Sequence, residues 1–307
     1  MKLSSSTQQD ATFRLSKGMS LAAPTLRVRN LIDTLAFYER DIGLHLNKRG
    51  RDPEGLEILE LGFKQNKGPL LIIKHDPDAR KPPHDFAGLY HYAVLLPDRK
   101  GLASTFLAVG KAGVSYEGFA DHSFSEALYL HDAEMNGMEL YVDRPRNAWP
   151  DWNLVQGSGG PARFGALNKP LDLDSLISEL NREERASPIS FPSGANIGHV
   201  HLRVTNLERS VNFYHERLGL DVMAHMPEMG AAFLSVGGYH HRLGLNTWHS
   251  QGGSSHRRGD AGLEEFRMIL PDAAAFNEVA ARFPGSPEDT GVISITDPDG
   301  IRISVSS

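Results

Sequence analysis

Residues 24–44, P-T-L-R-V-R-N-L-I-D-T-L-A-F-Y-E-R-D-I-G-L, return almost letter for letter at 198–220 as G-H-V-H-L-R-V-T-N-L-E-R-S-V-N-F-Y-H-E-R-L-G-L. The first copy reads as an alternating strand, a turn at Asn30, a helix with apolar Leu31, Leu35 and Tyr38, and a stop at Gly43. Two weaker copies lie between and after them. Gly88 to Pro97 matches Gly262 to Pro271, each followed by an Asp and an Ala-rich helical stretch, and D-A-E-M-N-G-M-E-L-Y at 132–141 parallels D-P-D-G-I-R-I-S-V at 297–305 as a tight turn feeding a last strand. The chain is therefore internally duplicated, with four units of strand, helix and about three strands beginning near 22, 88, 197 and 262.

A chain of 307 residues has the length for two domains with sizeable cores. The units divide it into a polar tail at 1–20, an N-terminal domain at 21–145, a Pro/Gly-rich linker at 146–195 and a C-terminal domain at 196–307. The linker carries Trp149, Trp152 and a short helix-like run, Leu171 to Glu184, and reads as a segment packed on one domain. Ser250 to Gly262 reads as a flexible loop whose His256 is solvated. With no apolar run of the roughly 20 residues a membrane span needs and no basic-then-apolar start, the expectation is a cytoplasmic protein without membrane contact.

The absence of cysteine excludes disulfides, thiolate metal sites and cysteine nucleophiles, so a transition-metal site must be built from carboxylates and some of the fourteen histidines. A net charge of −6 without a basic face argues against nucleic acid as partner and for a small ligand. The oligomeric state is left open, a homo-oligomer included.

The stretch from His122 to Glu139, H-S-F-S-E-A-L-Y-L-H-D-A-E-M-N-G-M-E, resembles the signature of extradiol ring-cleavage dioxygenases. It departs at Ala133, where the signature has Pro, at Met135, where it has Gly, and at Ala120. With the fourfold repeat, the chain resembles the vicinal oxygen chelate superfamily of glyoxalases, bleomycin-resistance proteins and dioxygenases. The resemblance implies an α+β fold of four βαβββ modules in two domains, two modules together curling a sheet around one metal site.

Strand alternation puts His199, His201 and Arg203 on one face and Val200, Leu202 and Val204 on the other. By resemblance, the metal ligand on a unit's first strand falls at Ala23, His91, His199 and Glu265, and the ligand on the last strand at Glu139 in unit two and Ser304 in unit four. Pairing the units in chain order assembles no recognisable ligand set. Pairing unit two with unit three brings together His91, His199 and Glu139, two histidines and one carboxylate, the facial set of non-haem Fe(II) oxygenases, with Mn(II) as the alternative metal. Units one and four would then be structural. His201 reads as a partner orienting a ligand, and Glu265 as a surface carboxylate.

The resemblance further implies an acid–base histidine at His241, with His240 as runner-up, a hydrogen bond from His122 to the bound oxygen species, and contact of Tyr129 with the substrate hydroxylate. The plainer readings are a solvated turn for the His240–His241 doublet and a packed aromatic for Tyr129. The leading expectation is an Fe(II)-dependent extradiol dioxygenase resembling the catechol 2,3-dioxygenases, acting on an aromatic diol and O2. The alternatives are a hydroquinone dioxygenase, a glyoxalase-like metal lyase or isomerase, and a ligand-binding resistance-type protein.

Overall fold

The computed structural model describes residues 13–64, 68–151, 165–186, 191–286, 288–289 and 291–307. Unit one supplies β1 (Ser20–Val28), β2 (His45–Arg51), β3 (Glu57–Gly62) and β4 (Pro69–His75), and unit two supplies β5 (Gly88–Leu95), β6 (Tyr116–Asp121), β7 (Ser125–His131) and β8 (Gly137–Asp143). Unit three supplies β9 (Asn196–Arg203), β10 (Asp221–Met226), β11 (Ala231–Ser235) and β12 (Leu243–Asn246). Unit four supplies β13 (Gly262–Ile269), β14 (Glu288–Asp289), β15 (Val292–Thr296) and β16 (Arg302–Ser306).

In every unit a helix follows the first strand, and in every unit an Asn or Asp side chain starts it. Asn30, Asp98, Asn206 and Asp272 each accept a hydrogen bond from the backbone N–H three residues on, satisfying a donor the helix cannot. In units one and three the helix runs on into a π-helical turn, at 36–41 and 213–217. Gly43 and Gly219 then end these segments at φ 88°, a conformation that favours glycine.

The sheets do not follow chain order. Units two and three form one eight-stranded sheet, β10-β11-β12-β9-β5-β8-β7-β6, and units one and four form the other, β14-β15-β16-β13-β1-β4-β3-β2. Each is centred on an antiparallel pair, β5 with β9 and β1 with β13, so each sheet takes one unit from 21–145 and one from 196–307. Leu26, Val28, Tyr92, Val200, Leu202 and Val204 belong to one buried apolar cluster spanning both sheets.

Buried polar ties repeat with the units. Asp132, in the turn before β8, accepts from the backbone N–H groups of Glu134 and Asn136 and from the hydroxyl of Tyr38 on the unit-one helix. Asp297, before β16, does the same for Asp299, Ile301 and Tyr214 of unit three. The F-Y of each strong repeat therefore locks a helix to the turn of the following unit, and that turn belongs to the other sheet.

Met135, where the resembling signature has glycine, stands in this turn at φ 66° and is exposed. A left-handed conformation costs a non-glycine residue about 1–2 kcal/mol, partly offset by the greater unfolded-state freedom of glycine. Met135→Gly is expected to stabilise the fold by about 0.5–1 kcal/mol, read as a higher urea midpoint at constant slope. A lower midpoint would mean that Met135 makes a compensating contact.

Three expectations need correction or restriction. Residues 1–12 and Trp152 lie outside the described residues, but 13–19 do not hang free: Leu15 and Met19 are buried, and the Leu15 N–H donates to the Gly219 carbonyl. The Leu171–Glu184 run is two short helices, Leu173–Ile177 and Arg182–Ala186. It packs on unit two through buried Leu176 and through Arg99, which bonds Ser175, Glu179 and Glu126. His256 is not solvated. Residues 250–262 lie against the crossover at 79–88, with parallel bridges Arg80–Asp260 and Phe86–Ser254, and within them His256 donates its backbone N–H to the Asp299 carbonyl and is 8% exposed.

Candidate metal centre

The central strands set the centre. In the β5–β9 register Ala93 faces His199 and His91 faces His201, while in the β5–β8 register Ala93 faces Glu139. Ala93 thus lies between Glu139 and His199, and its single methyl leaves room for the two longer side chains to meet above it. Both His91 Nε2 and His199 Nε2 stand 3.0 Å from Glu139 Oε2. Among the described residues these three form the group whose ligand atoms all lie within 4.8 Å of one another, and all three are buried.

The donor set fits a divalent metal. Two ligand atoms at right angles, each about 2.1 Å from one ion, stand about 3.0 Å apart. The approach of His91 Nε2 to Glu139 Oε2 lacks hydrogen-bond geometry, and His199 Nδ1 and His201 Nε2 are buried without a hydrogen-bond partner among the described residues, a rare state for buried polar atoms. Burial opposes ionisation of Glu139, but the neighbouring imidazoles, His199 foremost, outweigh it and hold the carboxyl well below its usual range. Burial pushes His199 down to about 4. Neutral imidazoles around an ionised carboxylate are the state a metal requires.

The position related to Glu139 in unit three is Gly244, which faces His201 as Glu139 faces Ala93. A Cβ there would stand 2.7 Å from the His201 ring, so His201 occupies the space a fourth ligand would need. The three-residue set keeps an open side.

That side faces a cavity of about 490 Å³, lined by His91 and Glu139 and also by His122, Tyr129, His201, His240 and His241. His241 lies in the turn before β12 and not on the strand, with its ring centroid 4.0 Å from that of His199. Its Nδ1 is 2.7 Å from His240 Nδ1, and His240 Nε2 is 2.9 Å from Asp143 Oδ1. The doublet is no solvated turn: His240 is buried, and burial lowers the proton affinity of both rings. On the opposite wall, His122 Nδ1 contacts Asn168 Oδ1 at 2.5 Å and His122 Nε2 contacts the Tyr129 hydroxyl at 2.6 Å. Since the amide oxygen only accepts, His122 donates through Nδ1 and accepts from Tyr129, whose hydroxyl is held neutral by burial and by Glu139.

Asn168, Tyr90 and Trp248 also line this cavity, and sequence reasoning passed over them. Asn168 comes from the linker, with no strand pattern to flag it, while Tyr90 faces the cavity from an irregularity in the β5–β9 register. In the other sheet the related positions hold no such group. Glu265 is not a surface carboxylate: it accepts from Ser304 Oγ at 2.6 Å and from Arg267 at 3.1 Å. Beside it Arg27, Lys74 and Arg302 converge on buried Glu264.

Residues 196–305 match the model of the Glyoxalase/Bleomycin resistance protein/Dioxygenase superfamily. Over 258 residues, covering 84% of this chain and 85% of the relative, the sequence is 34% identical to the catechol-2,3-dioxygenase of Bacillus subtilis strain 168. The fold is similar to that of a candidate dioxygenase from Bacillus subtilis subsp. subtilis str. 168, at a TM-score of 0.62 and 12% identity over 94% of this chain and 84% of that one. It is also similar to that of glyoxalase I from Zea mays, at 0.55 and 17% identity over 94% and 92%.

Proposed function

The chain belongs to the Glyoxalase/Bleomycin resistance protein/Dioxygenase superfamily, and on that footing we propose that it is an extradiol dioxygenase that opens a catechol-type ring beside its two hydroxyls. The observation that carries this reading is the convergence of His91, His199 and Glu139 on one point, with Gly244 where a fourth ligand would stand. A glyoxalase-type lyase or isomerase needs that further ligand, and a binding protein of the resistance type has no use for the triad. Iron(II), with manganese(II) as the alternative for the same donors, would supply there a centre that takes both diol oxygens and activates O2.

The proposed roles of the other residues follow from their hydrogen bonds. Asp143 accepts from His240 Nε2, which leaves His240 Nδ1 to accept from His241 Nδ1, so His241 presents an unprotonated Nε2 to the cavity. That nitrogen is the acceptor for the proton a substrate hydroxyl loses, and it returns the proton to the leaving oxygen. His240 and Asp143 position His241. His122 and Tyr129 give the facing wall a linked pair of groups for the second diol oxygen and the oxygen beside it, and His201 holds the space next to His91. The activity would belong to the cytoplasmic breakdown of aromatic compounds, with hydroquinone cleavage as its near neighbour.

Anaerobic loading with Fe(II) followed by catechol in air is expected to give a yellow semialdehyde. His241→Ala should keep iron and catechol binding but slow turnover on the order of 10²–10⁴-fold, the range for one positioned acid–base group. Colourless mixtures with catechol, 2,3-dihydroxybiphenyl and hydroquinones alike would refute the dioxygenase reading. If His240→Ala showed the catalytic loss and His241→Ala did not, the roles within the doublet would be exchanged.

A further inference from the structure

The cavity is larger than its chemistry needs. About 490 Å³ lies within the range of sites that enclose drug-sized ligands, well beyond a bare dihydroxybenzene. The surplus is apolar: Tyr90 meets Trp248 edge to face at 5.2 Å, His201 adjoins both rings and Phe233, and the Trp248 indole N–H donates to the Met229 carbonyl. Trp248 is one of three large apolar side chains left exposed among the described residues, so this wall reaches the cavity mouth.

Among the described residues no lysine or arginine lines the cavity, whereas Glu139 and Glu117 do. Glu117 sits where the β6–β7 register slips between Tyr116 and Gly118, a bulge that turns its side chain onto the face of Tyr129. His131 Nδ1 holds its carboxylate at 2.9 Å while leaving it largely exposed to whatever enters. Burial first and the Glu117 charge next raise the pKa of the Tyr90 hydroxyl, while the Arg203 guanidinium acts on it in the opposite sense, so both charges are felt at the apolar wall. Arg203 stacks 4.6 Å above the Phe86 ring and is not part of the lining.

We propose that the site selects aromatic diols carrying a bulky uncharged apolar substituent, which lies along Tyr90, Trp248 and Met229, and that Glu117 rejects diols carrying a carboxylate. This rests on the dioxygenase reading for the diol end of the ligand only; the substituent end follows from the cavity wall. A substituent that bears a negative charge would meet the Glu117 carboxylate on a wall that no described lysine or arginine lines.

The test compares 3-phenylcatechol, catechol and 3,4-dihydroxybenzoate by equilibrium dialysis against anaerobic Fe(II)-loaded protein and, in parallel, by ring cleavage. 3-Phenylcatechol is expected to bind about 10-fold more tightly than catechol, and 3,4-dihydroxybenzoate about 100-fold more weakly. Glu117→Gln should narrow the gap between benzoate and catechol about 10-fold, and Trp248→Ala should erase most of the phenyl advantage. Equal binding of the acid and catechol, or an unchanged gap in Glu117→Gln, would overturn the proposal. So would tight binding of the acid that is lost in Arg203→Gln, because Arg203 would then reach the cavity. Selective binding without cleavage of any diol would sink the dioxygenase reading and leave this selectivity standing; cleavage without selectivity would do the reverse.

Discussion

Glu139→Gln is expected to lose its metal and all ring cleavage while keeping its fold. Glu139 Oε2 is the atom both histidines converge on, at 3.0 Å each, so the amide removes the charge and breaks the symmetry of the acceptor at once. His91→Ala and His199→Ala remove a neutral donor each. Loss of a group that merely orients a ligand costs 10–100-fold in metal affinity, so loss of a ligand should exceed about 100-fold. The fold should survive because the triad is on the cavity face of the sheet, while Tyr92, Val200 and Leu202 hold the opposite face in the core. Metal content after desalting, set beside a thermal melt, separates the two effects. Full metal content with full activity in any one of the three variants would remove that residue from the centre.

The triad was legible in the sequence because two signals coincide there. The repeat fixes the position on each first strand that faces the site, and only units two and three hold histidine at it. Ligand counting then implied a sheet built from units distant in the chain, and β5 does pair with β9. What the sequence hid has physical causes. His256 looked solvated because Gly and Ser surround it, yet its loop is zipped to a second crossover far away in sequence. Tyr90 and Glu117 point into the cavity from register irregularities, which break the alternation from which sidedness is read. Asn168 reaches His122 from a segment with no period of its own. The tie from Asp143 to His240 spans 97 positions of sequence, and no local pattern announces such a contact.

Severing the chain after residue 145 should abolish metal binding and cleavage in both pieces. Each sheet is joined at its centre by hydrogen bonds between the halves, β1 to β13 and β5 to β9, so the N-terminal piece would keep four strands of each sheet and leave β1 and β5 as open edges. Such edges are long, unpaired and apolar on one face, and they pair with whatever strand they meet. The ties from Tyr214 to Asp297 and from Tyr38 to Asp132 each stay within one piece, so neither holds the pieces together. The linker helices pack on unit two, so the break also detaches Leu176 and the Arg99 partners Ser175 and Glu179 from the body they cover. Residues 1–145 retain His91 and Glu139 but not His199, and residues 146–307 retain His199 alone, so neither piece holds two histidines and a carboxylate. Co-expression of the two pieces is expected to restore metal uptake and activity, since the lost contacts are non-covalent and a one-residue slip of β5 on β9 would turn Tyr92, Val200 and Leu202 out of the core. An isolated 1–145 fragment that cleaved catechol would refute the assembly of the site across the halves, because its metal would then be held without His199.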